Sequence, residues 1–256
     1  MIRVVTLCSG SKGNSTYIEI NNTKILIDAG KSFKYLKEGL NDINVSIEDI
    51  NYIFITHNHG DHVYALGGIL KNTKATLCIT EGLLESLTKV QEIKSILVFE
   101  KEIEIEGIHV NAIKASHDAP DARNYVITYQ DKKISLITDT GYIHQKNFEY
   151  LYNSEIILME SNHDIELLQN GRYPDVIKKR ILGDYGHLSN RQAGLYLSKI
   201  IGEKTKDIVL IHLSEENNNP EKALETVYEV LEEYEIEFPG IKYAKQNELS
   251  EVMTVD

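Results

Sequence analysis

The chain opens on short runs of β-branched residues. Residues 2–8, 15–20 and 24–28 read as strands, and Asn21-Asn22-Thr23 joins the last two as a hairpin-type connection. The period then changes over residues 31–40, where Phe33, Leu36 and Leu40 recur at helical spacing. Ser46-Ile47-Glu48-Asp49 has the form of a capping box before a short helical turn. Residues 51–56 read as a buried strand. Helical segments at 63–70 and 81–89 flank a strand at 75–79. Further strands are expected at 96–99, 103–105 and 108–115. Residues 125–130 and 133–138 form a second hairpin, turning at Gln130-Asp131-Lys132. A helix at 145–152, a strand at 155–160 and helices at 164–169, 174–182 and 190–201 follow. Residues 207–212 are a last strong strand. Residues 220–234 are an amphipathic helix with Leu224, Val227 and Leu231 on one face and Pro220 in its first turn. Strands followed by helices recur loosely in each half, which predicts a single α/β sandwich domain over residues 1–256.

Composition narrows the class. Of 256 residues, 42% are hydrophobic and 26% charged, as in an ordinary globular protein. No run approaches the ~20 apolar residues that cross a bilayer. Residues 1–7 run straight into a strand pattern, without the parts of a signal peptide. Two cysteines, Cys8 and Cys78, are too few for a disulfide framework and read as core residues. A cytoplasmic protein with no membrane partner is therefore expected. The net charge of −12 argues against a surface coated with basic residues for nucleic acid. It leaves room for a nucleic-acid enzyme, because a bound metal is itself a strong local positive charge. The clusters Lys31/Lys34/Lys37 and Lys178/Lys179/Arg180 read as solvated helix faces.

The strand at 51–56 ends in the densest polar cluster of the chain, His57-Asn58-His59-Gly60-Asp61-His62. Three imidazoles and a carboxylate so close would repel as cations or stay unsatisfied as neutral groups. Divalent metal ions resolve both problems, since imidazole nitrogen and carboxylate oxygen suit Zn²⁺, Mn²⁺ or Fe. His57 and His59, two apart on extended backbone, point to one side. Asp61 and His62 are expected around the bend at Gly60, facing a second metal. Six residues cannot complete two coordination shells. His117, Asp139 and His212 each follow an apolar strand, as His57 does, and are the remaining candidates.

The ordered series His57-x-His59-x-Asp61-His62, His117, Asp139 and His212 resembles the metallo-β-lactamase fold, over residues 2 to about 213. That resemblance implies an αββα four-layer sandwich with one or two metals at the sheet edges. Asp28-Ala29-Gly30 matches the early Asp of the fold, which orients the metal loop. By the resemblance, His57, His59 and His117 hold one metal, Asp61, His62 and His212 the second, and Asp139 bridges both. A hydroxide between the metals is then the nucleophile, with Asp61 essential to it.

Several reactions share this ligand set, among them thioester and lactone hydrolysis, RNA cleavage, DNA cleavage and small phosphodiester hydrolysis. Four segments narrow the choice. Gly186-His187-Leu188-Ser189-Asn190-Arg191 resembles the His-containing segment of ribonuclease Z, where an extra histidine serves the phosphate and the leaving group. An imidazolium at His187 can bind a non-bridging oxygen and protonate a departing 3′ oxygen. The second is the small-residue loop Ser9-Gly10-Ser11-Lys12-Gly13-Asn14-Ser15, which lets backbone approach a metal or phosphate. Glu160-Ser161-Asn162-His163-Asp164 and the segment from His212 to Asn218 complete the four. With Thr138-Asp139-Thr140-Gly141 they look like the YycJ/WalJ-like branch of the fold. That branch is associated with 5′-exonuclease action on DNA and with DNA repair in bacteria. Ser11, Asn14, Asn162, His163 and Ser189 are the substrate-binding candidates. The sequence shows no room for a long protruding arm or an inserted domain, so a compact phosphodiesterase is expected.

Overall fold

Residues 1–87 and 93–256 are described by a computed structural model. They divide into two units, one of residues 1–112, 119–123 and 245–256, the other of residues 113–118 and 124–244.

In the first unit, β1 (Ile2–Cys8), β2 (Ser15–Ile20) and β3 (Thr23–Ile27) form an antiparallel meander. Ile20 faces Thr23, so the turn is Asn21-Asn22, and Asn21 takes the left-handed φ of 54° that so short a hairpin requires. β4 (Tyr52–Phe54), β5 (Thr76–Thr80) and β6 (Ile96–Phe99) then run parallel to β3 and to one another. Each parallel step needs a crossover. α1 (Phe33–Asp42) supplies the first, α2 (Gly60–Val63) with α3 (Leu66–Asn72) the second, and α4 (Glu81–Ser86) lies on the third. Leu36 and Leu40 of α1 are buried in one apolar cluster with Leu7, Leu26, Ile53 and Leu77. β7 (Glu102–Ile105) and β8 (Ile108–Lys114) form an antiparallel hairpin, and the last two residues of β8 belong to the second unit.

Three expectations change here. The turn at 46–49 is a single 3-10 turn, Ile47–Asp49, and Ser46 does not cap it: its hydroxyl bonds the Glu48 carboxylate. Asp61 and His62 lie on α2 itself, with His59 at its N-cap, and not around a bend at Gly60. The helix expected at 81–89 is observed to Ser86; residues 88 and 89 lie outside the described residues.

In the second unit, β9 (Arg123–Tyr129) from Asn124 on pairs antiparallel with β10 (Lys132–Ile137) through the turn Gln130-Asp131, with Gln130 at φ 56°. β11 (Ile156–Glu160), β12 (Asp207–Ile211) and β13 (Lys242–Tyr243) add parallel strands in that order. Between them run α5 (Phe148–Leu151), α6 (Ile165–Asn170), α7 (Asp175–Leu182), α8 (Asn190–Ile200) and α9 (Pro220–Glu233). Gly194 lets α8 and α9 meet closely, since a Cβ there would lie 2.8 Å from Val230 Cβ. Val227 and Leu231 of α9 join Ala193 and Leu197 of α8 in the buried core, each large side chain contributing roughly 1.5–3 kcal/mol. The chain then returns to the first unit. β14 (Met253–Val255) pairs with β1 and completes the order β14-β1-β2-β3-β4-β5-β6.

Ligand sites of parallel sheets lie beyond the carboxyl ends of their strands. In the first unit β3 runs into Asp28 and β4 into Thr56-His57. In the second, β10 runs into Thr138-Asp139, β11 ends on Glu160 and β12 runs into His212. Asp28, Asp139 and His212 take φ values of 63°, 47° and 57°, a left-handed conformation costly for side-chain-bearing residues and typical of functional sites. No helix among the described residues is long and apolar enough to cross a membrane.

Candidate metal centre

Asp28 organises the first unit's donors. Its Oδ1 accepts from Thr56 N at 2.8 Å and its Oδ2 from Thr56 Oγ1 at 2.8 Å, and Oδ2 also lies 2.8 Å from His62 Nδ1. Burial raises this carboxyl above its ordinary value, and the hydrogen bonds from His62 and Thr56 work against that rise. A carboxylate only accepts, so His62 carries its proton on Nδ1 and its lone pair on Nε2. Thr56 Oγ1 gives its hydrogen to Asp28 and lies 3.0 Å from His57 Nδ1, which therefore donates to it. His57 is left in the same tautomer.

The His57 and His62 ring centres are 4.0 Å apart, those of His57 and His59 4.7 Å. Asp61 Oδ2 is 3.4 Å from His62 Nε2. The Asn14 amide nitrogen lies 3.0 Å from His62 Nε2 and 3.3 Å from Asp61 Oδ2, a donor facing two lone-pair atoms. Residue 30 must be glycine for this corner to form: a Cβ there would sit 1.6 Å from the Asp61 carbonyl oxygen.

Glu160 organises the second unit's donors. It is fully buried at the end of β11. Its Oε1 lies 2.7 Å from His187 Nδ1 and 2.9 Å from His212 Nδ1, and its Oε2 accepts from Thr140 N at 2.9 Å. Burial alone would raise the Glu160 carboxyl. The charge of His187 and hydrogen bonds from His187 and His212 outweigh that and hold it below its ordinary value. Both histidines then carry Nδ1–H and offer Nε2. His117 does the same by donating Nδ1–H to the Gly186 carbonyl at 3.2 Å, and burial lowers its pKa, keeping the ring neutral. Its Nε2 is 3.8 Å from Asp139 Oδ1. One donor atom from each of Asp139, Glu160, His187 and His212 lies within 4.8 Å of the others.

In each unit the chain thus engages Nδ1 of the buried histidines, His57, His62, His117 and His212, which is how histidine ligands are oriented. Imidazole nitrogens beside carboxylates fit divalent metal ions.

Other residues singled out in the sequence have different surroundings. Ser11 is exposed on the loop after β1. Asn162 is buried, its amide donating to the His212 carbonyl at 3.0 Å. Ser189 is buried as the N-cap of α8, in a capping box with Gln192. His163 is 1% exposed, and neither ring nitrogen makes a hydrogen bond among the described residues. Burial pushes its pKa down to about 4. Cys8 and Cys78 are buried, and burial pushes both thiols up to about 12.

Glu160 was not among the site residues that the sequence indicated. Its signal was present: a lone acid closing an otherwise apolar run, Ile156-Ile157-Leu158-Met159.

Comparison with known proteins agrees with this architecture. A family profile described as a β-lactamase superfamily domain matches residues 23–213. An exodeoxyribonuclease YycJ of Bacillus anthracis is 36% identical over 234 residues, covering 89% of this chain and 88% of its own. An exodeoxyribonuclease WalJ of Streptococcus pneumoniae is 36% identical over 224 residues, covering 85% and 83%. The crystal structure of YhfI from Bacillus subtilis, a metallo-β-lactamase fold protein, superposes with a TM-score of 0.71 at 16% identity, covering 97% of this chain and 98% of that one. The fold implied by the sequence resemblance is therefore the fold observed.

Proposed function

The chain belongs to the β-lactamase superfamily, and from that premise we propose that it is a metal-dependent phosphodiesterase, a 5′-exonuclease acting on DNA. The observation that carries the reading is the buried Glu160 carboxylate 2.7 Å from His187 Nδ1. A carboxylate behind an imidazole fixes its orientation, as general acid catalysis demands. The alkoxide leaving group of a phosphodiester needs that proton; a thiolate leaves without it. DNA as the substrate is supported by the likeness to relatives named exodeoxyribonucleases.

His57, His59 and His117 would hold one ion, Asp61, His62 and His212 a second, with Asp139 shared between them. Two such ions, Zn²⁺ or Mn²⁺ with Fe as a further candidate, would supply Lewis acidity and a water acidic enough to attack at neutral pH. The chain's own residues do the rest. Asp28 and Thr56 keep His57 and His62 in the ligating tautomer. Glu160 does the same for His212 and holds His187, whose Nε2 delivers the proton to the departing 3′ oxygen.

The test is incubation of Zn²⁺- or Mn²⁺-loaded protein with end-labelled single- and double-stranded DNA and RNA, beside a thioester and a lactone. Release of nucleotides from the 5′ end of DNA is the expected result. Cleavage of the thioester or lactone with intact nucleic acid would overturn the reading.

A further inference from the structure

We propose that Tyr142 and Tyr185 form a stacking platform for the terminal nucleobase of a nucleic-acid substrate; the proposal rests on the nuclease reading above and adds the group that engages the base. Both rings are exposed, Tyr185 at 66% and Tyr142 at 40%, and both lie in the second unit.

Tyr185 occupies the tip of a tight turn. Gly186 N donates to the Gly183 carbonyl at 2.9 Å, so Asp184 and Tyr185 are the two central residues. Such positions favour Gly, Asn, Asp and Ser. The large aromatic side chain of Tyr185 is left mostly in water there. The turn is nevertheless held firmly. His187 N donates to the Ile181 carbonyl at 3.0 Å, and Ser116 Oγ donates to the Asp184 carbonyl at 2.7 Å. Gly186 has no space for a side chain: a Cβ would lie 2.1 Å from the Ile181 carbonyl oxygen.

The segment carrying Tyr142 meets this turn directly. A Cβ on Gly141 would lie 2.3 Å from the Asp184 carbonyl oxygen, so the backbones at 141 and 184 are in contact. Gly141 N donates to the Ser116 carbonyl at 2.8 Å, and Thr140 Oγ1 accepts from Ser116 N at 3.0 Å and donates to the Tyr142 carbonyl at 2.8 Å. Each tyrosine thus directly follows one of the two residues whose backbones touch. Tyr185 is two residues from His187, Tyr142 three from Asp139, and Ser116 precedes His117. Two exposed tyrosines thus sit on one pinned scaffold, two and three residues along the chain from groups assigned to the chemistry.

A molecule of net charge −12 gains little from general attraction to phosphate, and stacking supplies affinity that does not depend on charge. Every base has a π face, so the contact is indifferent to sequence, as an exonuclease requires. A scaffold ordered before binding spares the entropy of fixing the rings.

The experiment measures KM of the metal-loaded enzyme for two single-stranded DNA oligonucleotides, one complete and one abasic at its 5′-terminal nucleotide. Tyr142→Ala and Tyr185→Ala are each expected to raise KM for the complete strand about tenfold, the usual order for one lost base–aromatic stack. KM for the abasic strand is expected to be high already in the parent and to rise less than about twofold further. Tyr142→Phe and Tyr185→Phe keep the π face and should behave as the parent on both. Equal rises on both strands, or no rise on either, would overturn the platform. A parent protein that cleaves neither strand would instead overturn the nuclease reading itself.

Discussion

Glu160 Oε1 lies 2.7 Å from Nδ1 of His187, and the same oxygen lies 2.9 Å from Nδ1 of His212. One buried carboxylate therefore sets the orientation of an assigned proton donor and of an assigned metal ligand together. Glu160→Gln keeps the volume and one acceptor but removes the charge. Turnover on DNA is expected to fall by about 10²-fold, in the range that general acid catalysis contributes. Metal stoichiometry of the variant, measured by elemental analysis, should match the parent. Unimpaired turnover would remove Glu160 from the mechanism.

His187→Ala separates protonation from positioning. Turnover on DNA is expected to fall ~10²–10⁴-fold. A nitrophenyl phosphodiester, whose leaving group needs little protonation, should lose far less. Metal content should hold, since the seven assigned ligands do not include His187. Equal losses on both substrates would point to phosphate positioning, and a lost ion would make His187 a ligand.

Asp61→Ala tests the number of ions. Two ions per chain are expected in the parent, and chelation should abolish turnover. The variant should keep its fold and less than about a tenth of the parent's activity. Elemental analysis showing one equivalent in the parent would contradict a two-metal centre.

The strands and the metal motif were legible in the sequence because both are local. β-branched runs set the strands, and the placement of His57, His117, Asp139 and His212 after apolar runs followed from their positions alone. Glu160 was hidden for a different reason. Its partners His187 and His212 lie 27 and 52 residues away; the parallel pairing of β11 with β12 brings His212 to it, and Leu188 N donating to its Oε2 at 3.2 Å holds the His187 segment there. Ser189 and Asn162 were substrate-binding candidates in the sequence. Each is buried by a backbone need that a linear reading does not reveal, the cap of α8 and the carbonyl of His212. β14 went unforeseen because three residues, Met253-Thr254-Val255, carry too little periodicity to show their pairing with β1.

Gly30 makes a constraint of this kind testable. Its Cβ position is taken by the Asp61 carbonyl oxygen at 1.6 Å, and its own N donates to the Asn14 carbonyl at 2.9 Å. Gly30→Ala must displace backbone, because no flexible side-chain end lies in the way. A loss of roughly 1–3 kcal/mol is expected, the range for overpacking a tight site. Urea unfolding reads it. Metal affinity should fall with it, since the backbone that moves carries Asp61 and His62. Unchanged stability and metal content would show that the corner is looser than its geometry.

His163 gives the molecule a pH dependence whose sign is fixed. Burial depresses its pKa from 6.5 to about 4, and among the described residues its ring makes no hydrogen bond that would favour the charged form. Between these values the unfolded chain binds a proton at this residue and the folded chain does not. Stability therefore rises with pH across that window. The contribution is fully present above pH 6.5 and is lost as pH falls toward 4, by about 3 kcal/mol in all. His163→Leu removes the titrating group while filling most of its volume. Urea unfolding of chelator-treated protein at several pH values from 7 to 4 should show the variant losing less stability than the parent. The other histidines titrate in both proteins, so the difference between the two curves isolates residue 163. Parallel curves would mean that the folded protein accommodates a charged imidazole at this position.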